Sequence, residues 1–221
     1  FAMHVTMSAV NKAWRIADAD HVVFALEGRS WRKDYYEPYK KNRKVAREAL
    51  TEQQQEEDQL FWDTYDDMTT FLKDSANCSV LRCEIAEADD IIARWIDMHP
   101  DDQHVIVSSD SDFAQLIAPN VKQYNGIQNH MMSLEGIIDD YGKPVKDKKT
   151  GEPKAAPDPE WLLFEKCMRG DTSDNVPGVP KVGPKTAAKW LKEYGDIRNL
   201  LKNIDDIRGK VGDNLRASID Q

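Results

Sequence analysis

Residues 84–112 read EIAEADDIIARWIDMHPDDQHVIVSSDSD. A carboxylate cluster, Glu84, Glu87, Asp89 and Asp90, precedes Ile91, Ile92, Trp95 and Ile96, which recur at helical spacing. The apolar run HVIVSS follows, short enough for a buried strand, and ends on Asp110-Ser111-Asp112. The stretch therefore predicts a helix followed by a buried strand, with acids at the helix start and at the strand's carboxyl end. In open α/β sheets, ligands bind outside the carboxyl ends of the strands. Carboxylates gathered there repel one another unless a cation joins them, so the stretch points to a divalent metal site.

Outward from it, the chain alternates strand-like and helical segments. Strands are expected at 22–26 (VVFAL), 79–83, 105–108 and 121–124, and helices at 1–14, 45–73, 89–98, 113–117 and 161–169. The 45–73 segment carries an apolar stripe at Leu60, Phe61, Tyr65, Met68, Phe71 and Leu72. This alternation implies an α/β fold with a mainly parallel sheet flanked by helices. Residues 142–159, GKPVKDKKTGEPKAAPDP, form a loop or hairpin, and the last sixty or so residues read as helices joined by Gly/Pro turns. Because the first residues already read as helix, a strand is expected ahead of residue 1.

The 221 residues suffice for one large domain, or one with a small appendage. No apolar run approaches the roughly 18–20 residues of a membrane span, and nothing resembles a signal peptide. Three cysteines without a CxxC pair and five scattered histidines give no zinc pattern and suggest reduced thiols in a cytoplasm. A net charge of −9 argues against nucleic-acid binding, but its distribution weakens that objection. Residues 29–48 hold eight basic side chains against three acids, whereas 52–67 hold seven acids and no base. Such polarity permits a basic face on an acidic protein.

Three acidic pairs stand beside these elements. Asp110 and Asp112, two apart, would project from one face if strand-like. Glu87 and Asp89 converge only at a helix's first turn, where negative charge is favoured. Asp171 and Asp174, in GDTSDN, would share one face of a helical turn. Singly, each pair is ordinarily a cap or a solvated acid. Together, with no His or Cys among them, they suit magnesium or manganese. Residues 178–187, GVPKVGPKTA, place two Gly-containing turns before a helix with Pro184 at its start. Such a hairpin offers backbone N–H groups to phosphate, with Lys181, Lys185 and Lys189 four apart as one basic helical edge. The basic-aromatic stretch 29–47 interleaves Arg32, Lys33, Lys40 and Arg43 with Trp31, Tyr35, Tyr36 and Tyr39, a combination suited to unpaired nucleic acid. A solvated lysine edge and core-facing tyrosines are the plainer alternatives.

Together these residues resemble the 5′-nuclease (flap endonuclease) family, which includes the 5′-nuclease domain of bacterial DNA polymerase I and the phage 5′-to-3′ exonucleases. The matching segments are VVF…YKKNR (22–43), EADD (87–90), SSDSDFAQLI (108–117) and GDTSDNVPGVPKVGPKTA (170–187). The last is the most specific. The resemblance implies a PIN-like α/β core over 1–160 with a helical arch at about 29–75, and a helix-hairpin-helix-type helical region over 161–221. It implies a metal-dependent phosphodiesterase, working as a monomer in a bacterial or phage-infected cytoplasm on 5′ flaps, 5′ ends or RNA–DNA hybrids. Two magnesium ions, with manganese as substitute, would be held by Glu87, Asp89 and Asp110 and by Asp112, Asp171 and Asp174, with Asp90 also in the motif. Lys40 and Arg43, preceded by Tyr39, match the cationic pair at the arch base. Val179, Lys181, Val182, Gly183, Lys185, Thr186 and Lys189 match the DNA-gripping hairpin, with a potassium ion.

The sequence departs from the family at two places. The family's first-strand Asp would lie before residue 1, and its second-strand Asp reads Ala25, leaving Glu27 on the same strand face as a replacement ligand. The departures favour one rival, a DNA-binding protein of this fold with weak or no catalysis. A receiver-like signalling domain also pairs acids around magnesium, but would need neither the hairpin nor the basic-aromatic stretch.

Overall fold

A computed structural model describes residues 2–156 and 158–219. Helix α1 (Ala2–Ala17) runs three residues beyond the expected end at 14; Phe1 lies outside the described residues. Strand β1 (Val23–Leu26) pairs in parallel with β2 (Ser79–Arg82). Helix α5 (Ala88–Met98) follows β2 and packs on both strands; α2, α3 and α4 lie between the strands in sequence, at Arg32–Tyr35, Lys41–Glu48 and Glu52–Ser75. Strand β3 (His104–Val107) pairs in parallel with β4 (Val121–Asn125). Ile106, Phe113 and Val121 are buried there, with Ile92 and Ile96 of α5 packed against them, so the helix start and the ends of the strands share one side of this core.

Beyond β4 the sheet continues antiparallel through β5 (His130–Ser133) and β6 (Gly136–Asp139). Neither strand was anticipated. HMMS has no β-branched residue, and the strand is held by its ladder and its neighbours rather than by local propensity. Residues 142–156 adopt a hairpin-like course: Lys146 bridges to Pro153, and the Asp147 carboxylate accepts N–H bonds from Lys149 and Thr150.

The helix expected over 45–73 is two helices. Thr51 stops the first and starts the second. Its Oγ1 accepts the Gln54 N–H, while Gln54 Oε1 accepts the Thr51 N–H at 2.9 Å, a reciprocal cap that costs the chain one turn of continuity. The anticipated apolar stripe is buried only toward the end of α4. Leu72 is 1% exposed, but Leu60 and Phe61 are 67% and 59% exposed.

Helix α6 (Pro159–Arg169) is capped by Asp158 and packs against the 3-10 helix Ser111–Leu116. It ends at the short antiparallel strands β7 (Gly170–Asp171) and β8 (Val176–Pro177). Helices α7 (Pro184–Tyr194), α8 (Ile197–Lys202) and α9 (Gly209–Ala217) complete the chain around a core of Phe164, Met168, Trp190, Leu200 and Leu215. Two glycines permit the β7–β8 contact. A Cβ on Gly170, whose φ is +71°, would lie 2.4 Å from both the Gly178 nitrogen and the Val176 carbonyl. Gly170→Ala combines left-handed strain with a backbone clash, and should cost about 3 kcal/mol or more. Thermal unfolding of the variant beside the parent chain measures it; an unchanged Tm would contradict the packing described.

Candidate functional site

The centre is built on the first turn of α5. Glu87 is its N-cap, and its own N–H donates to Asp90 Oδ2 at 3.0 Å. The Glu87 side chain is buried at 2% exposure but fully partnered. Lys40 Nζ lies 2.5 Å from Oε1, and Arg32 Nη1 and the Tyr39 hydroxyl donate to Oε2 at 2.8 and 3.1 Å. Burial alone would raise its carboxyl pKa; Lys40, Tyr39 and Arg32 outweigh burial and hold it below the ordinary range. Asp90 takes two bonds from Arg32, at 2.8 and 2.9 Å, and one from Trp31 at 3.2 Å. Arg32 chiefly holds its pKa down.

Asp89 is different. Among the described residues its carboxylate makes no hydrogen bond or ion pair, and its pKa is raised, first by burial, then by the negative charges of Glu27, Asp110 and Glu87, against the lowering effect of Lys40. Glu27 is drawn to this spot because its Oε2 accepts the Ala88 N–H at 2.8 Å. The approach requires Gly28, where a Cβ would fall 1.9 Å from the Cys83 carbonyl oxygen. Asp89, Glu27 and Asp110 thus form a carboxylate group repelling itself.

Asp110 and Asp112 come together, but not on a strand as expected. Strand β3 stops at Val107; Asp110 caps the following 3-10 helix and accepts the Asp112 N–H at 2.9 Å. Asp171 and Asp174 are likewise not on a helical turn. Asp171 ends β7 and Asp174 lies within the tight turn before β8, where Asp171 Oδ1 accepts from Ser173 Oγ and N at 2.5 and 2.9 Å.

Lys166 of α6 joins the two pairs: its ammonium is 2.6 Å from Asp112 Oδ1 and 2.5 Å from Asp171 Oδ2. Burial works against both charged forms, but Lys166 and Ser173 outweigh it and hold Asp171 far below the usual carboxylate range. Asp112 and Asp171 in turn raise Lys166. Lys166 was not among the expected residues. Its one local signal is a base in the last turn of a helix that runs into an acidic turn.

The arch base lies against the same turn. The Tyr39 hydroxyl shares its single proton between Glu87 Oε2 and Asp174 Oδ2, which lie 3.1 and 3.0 Å away, and Arg43 Nη2 donates to Asp174 Oδ1 at 2.7 Å. Tyr39 is buried, and burial followed by the charges of Glu87 and Asp174 pushes its phenol well up. Tyr39 braces Glu87 against Asp174 and the Arg32 guanidinium pairs with Glu87 and Asp90, while both line the cleft. Lys33 is exposed, and Trp31 and Tyr35 are exposed aromatics at 48% and 90%.

In the C-terminal hairpin, Val179 and Val182 turn their side chains into the core at 7% and 9% exposure, which leaves chiefly their backbone to face outward. Gly183 is the N-cap of α7, Pro184 its first residue, and Thr186 is partly buried. Lys181 sits before the helix at φ +67°, off the edge on which Lys185 and Lys189 lie four apart. The expected three-lysine edge is therefore two helical lysines and one in the loop. All three are exposed.

A cleft of about 430 Å³ runs between Arg32, Glu87, Asp89, Asp112, Lys166 and Asp171. Among the described residues no three Asp, Glu, His or Cys side chains close into a metal-ligand group. Lys40, Arg32, Arg43 and Lys166 pair with most of the carboxylates instead. The donor chemistry nevertheless suits a hard cation: every acidic donor is an oxygen, and Asp89 stands among like charges.

A PIN-like sheet with acids at its strand ends, an arch base docked on an acidic turn, and a helix-hairpin-helix-type region together define the 5′-nuclease class. Residues 1–142 match the 5′-3′ exonuclease N-terminal resolvase-like domain and residues 158–221 the 5′-3′ exonuclease C-terminal SAM fold. The chain belongs to the 5′-3′ exonuclease family. It is 34% identical over 205 residues to DNA polymerase I of Rhizobium leguminosarum, covering 90% of this chain and 17% of that protein. It thus spans about a sixth of that relative's length. It is 29% identical over 213 residues to the flap endonuclease Xni of Shewanella piezotolerans, covering 95% of this chain and 73% of that one. The bacteriophage T5 D15 protein, co-crystallised with metal ions, superimposes with a TM-score of 0.78 at 22% identity over 98% of this chain and 77% of its own, which establishes a common fold.

Because Asp171 titrates lower in the folded chain than in the unfolded one, its contribution to stability is complete above the ordinary carboxylate pKa of about 4 and fades as pH falls through the depressed folded value. Removing its partner in Lys166→Met should therefore cost about 2 kcal/mol in chelator-treated protein at pH 7. The gap to the parent should narrow below about pH 4. Denaturant titrations at several pH values read this directly; a gap independent of pH would assign Lys166 another role.

Proposed function

We propose that the chain is a structure-specific, divalent-metal-dependent 5′ nuclease acting on DNA 5′ flaps or 5′ ends, including RNA–DNA hybrids, as a monomer in the cytoplasm of a bacterium or a phage-infected host. The observation that carries this is the self-repelling group of Asp89, Glu27 and Asp110 beside Lys40 and Arg43, on the fold of a nuclease family. No helix of the described residues is long and apolar enough to cross a membrane. The nuclease core would occupy 1–160 and the helical DNA-gripping region 161–221.

The residues fit two magnesium ions, or manganese in their place. Glu87, Asp89 and Asp110 would hold one, with Glu27 in support, and Asp112, Asp171 and Asp174 the other; Asp90 serves chiefly to seat Arg32. Bound ions of this kind supply Lewis acidity and lower the pKa of a coordinated water. The chain's own residues do the rest. Lys40 and Arg43, held at the cleft beside Glu87 and Asp174, place positive charge where a phosphodiester develops negative charge. Lys166 keeps Asp112 and Asp171 together. Lys185 and Lys189, with Lys181 and the α7 N-terminus from Gly183 to Thr186, meet duplex phosphates without reading sequence, and a potassium ion would sit at the hairpin backbone around Val179 and Val182. Lys33, Trp31 and Tyr35 face an unpaired 5′ strand.

A labelled 5′-flap duplex incubated with magnesium tests the proposal. Asp89→Ala and Asp110→Ala should each lower the cleavage rate about a hundredfold or more while leaving DNA binding measurable. Parent-level cutting by both variants would sink the site assignment, and DNA binding without cutting by the parent would leave a binding protein. Separately, Lys185→Glu should weaken duplex binding alike across sequences and reduce the slope of log affinity against log salt by about one to two. Loss confined to particular sequences would speak for base readout instead.

A further inference from the structure

The motifs YKKNR and GDTSDN are about 130 residues apart, yet they contain two asparagines that reach across to each other's backbone. Asn175 Nδ2 donates to the Pro38 carbonyl at 2.8 Å. Asn42 Nδ2 donates to the Thr172 carbonyl at 3.1 Å and lies 3.4 Å from that of Ser173. Between them the Lys40 N–H donates to the Asp174 carbonyl at 2.8 Å. We propose that Asn42 and Asn175 are positioning residues whose crossed carboxamides clamp the arch base to the acidic turn and so set Lys40 and Arg43 against the cleft.

Backbone conformation supports the clamp independently. Lys40 adopts φ +54°, a left-handed conformation that a side chain without a local hydrogen-bonding role rarely takes. Strain of this kind persists where surrounding contacts over-determine it. On residues 38 to 43 the two carboxamide contacts, Asn175 on Pro38 and Asn42 on the turn, stand beside the Lys40 N–H on the Asp174 carbonyl and the side chains of Tyr39 and Arg43 on Asp174. The same left-handed turn at Lys40 starts α3 and aims its ammonium at Glu87, while Arg43, one turn on, reaches Asp174. Asn175 is itself left-handed, at φ +58°, and that conformation directs its side chain back toward the arch rather than along β8. Both carboxamides lie in exposed surroundings, where a hydrogen bond adds little to global stability. Their effect should appear in local order and in chemistry.

The functional half of the inference rests on the nuclease reading, so two readouts are needed. Asn175→Gly keeps the left-handed conformation accessible and loses the carboxamide, while Asn42→Asp keeps the shape but exchanges the donor for a negative charge, so Asn42→Ala, which loses the donor without adding charge, is measured beside it. Amide hydrogen exchange in metal-free protein should show the Lys40 N–H and its neighbours exchanging about tenfold faster in all three variants, with Tm nearly unchanged. Asn42→Gln, which keeps a donor, should recover part of the protection. On a 5′-flap duplex, kcat should fall about tenfold in all three variants with KM within about twofold, because the displaced cations act on the reacting phosphate more than on the duplex. Parent-like exchange at Lys40 in all three variants would overturn the clamp, whether or not the protein cuts DNA. Faster exchange with undiminished kcat would overturn the positioning role. Failure of the parent to cut at all would strike the nuclease proposal and leave the exchange result to decide the clamp.

Discussion

The architecture depends on one buried carboxylate. Glu87 lies almost wholly out of water, and a carboxylate there is tolerated only if charge and hydrogen bonds replace its hydration. Three side chains supply them, and all three, Arg32, Tyr39 and Lys40, come from the segment that opens the arch. Satisfying Glu87 therefore folds residues 32–40 down onto α5. Tyr39 then extends the network to Asp174, so that one acid at a helix start couples the sheet, the arch and the C-terminal turn. Single-partner loss in such a network leaves a charge buried without compensation, which is why its members constrain one another so strongly.

The acids of the cleft fall into two electrostatic kinds. Glu87, Asp90, Asp112, Asp171 and Asp174 each have a basic partner, and where their titration is perturbed it shifts downward. Asp89 has no such partner: burial and the charges of Glu27, Asp110 and Glu87 outweigh the opposing charge of Lys40, and it shifts upward. Paired acids organise the polypeptide, whereas a self-repelling one is a place where an added cation lowers the free energy most.

Much of this was legible in the sequence, because the acids mark element ends. Residues 87–90 read as a helix start since an acid before an apolar periodic run is a cap signal, and α5 begins there. The ends of strands 22–26 and 105–108 were found to within a residue or two for the same kind of reason. Asp110 with Asp112, and Asp171 with Asp174, lie on other elements than their spacing suggests. Spacing specifies which side chains converge on an assumed backbone, but a 3-10 cap and a tight hairpin bring them together as well as a pleat or a helical turn does. Lys166 and the burial of Tyr39 were not legible, since their partners are distant in sequence and no local pattern encodes them. Val179 and Val182 sit in a glycine-rich turn that looks exposed by composition, but its apolar positions serve the helical core. The break at Thr51 was legible in principle: Thr-Glu-Gln-Gln is a capping box, overridden by the apolar stripe that runs past it.

Helix α4 has a mechanical consequence. Its 24 residues span about 36 Å. The two residues fully buried along it, Thr69 and Leu72, both lie within its last seven. It is rooted at one end, and its outer half is tied to α3 through Arg47, which reaches Asp58 at 3.6 Å and lies over the Trp62 ring. A tilt of about 10° at the root would carry the Thr51 end, and α3 with it, through about 5 Å. The opposite leg, from Pro38 to Arg43, is the stiff one, tied to the acidic turn by several bonds. Movement of α4 is thus set against the rigidity of the other leg, so that one side of the arch can yield where the other holds.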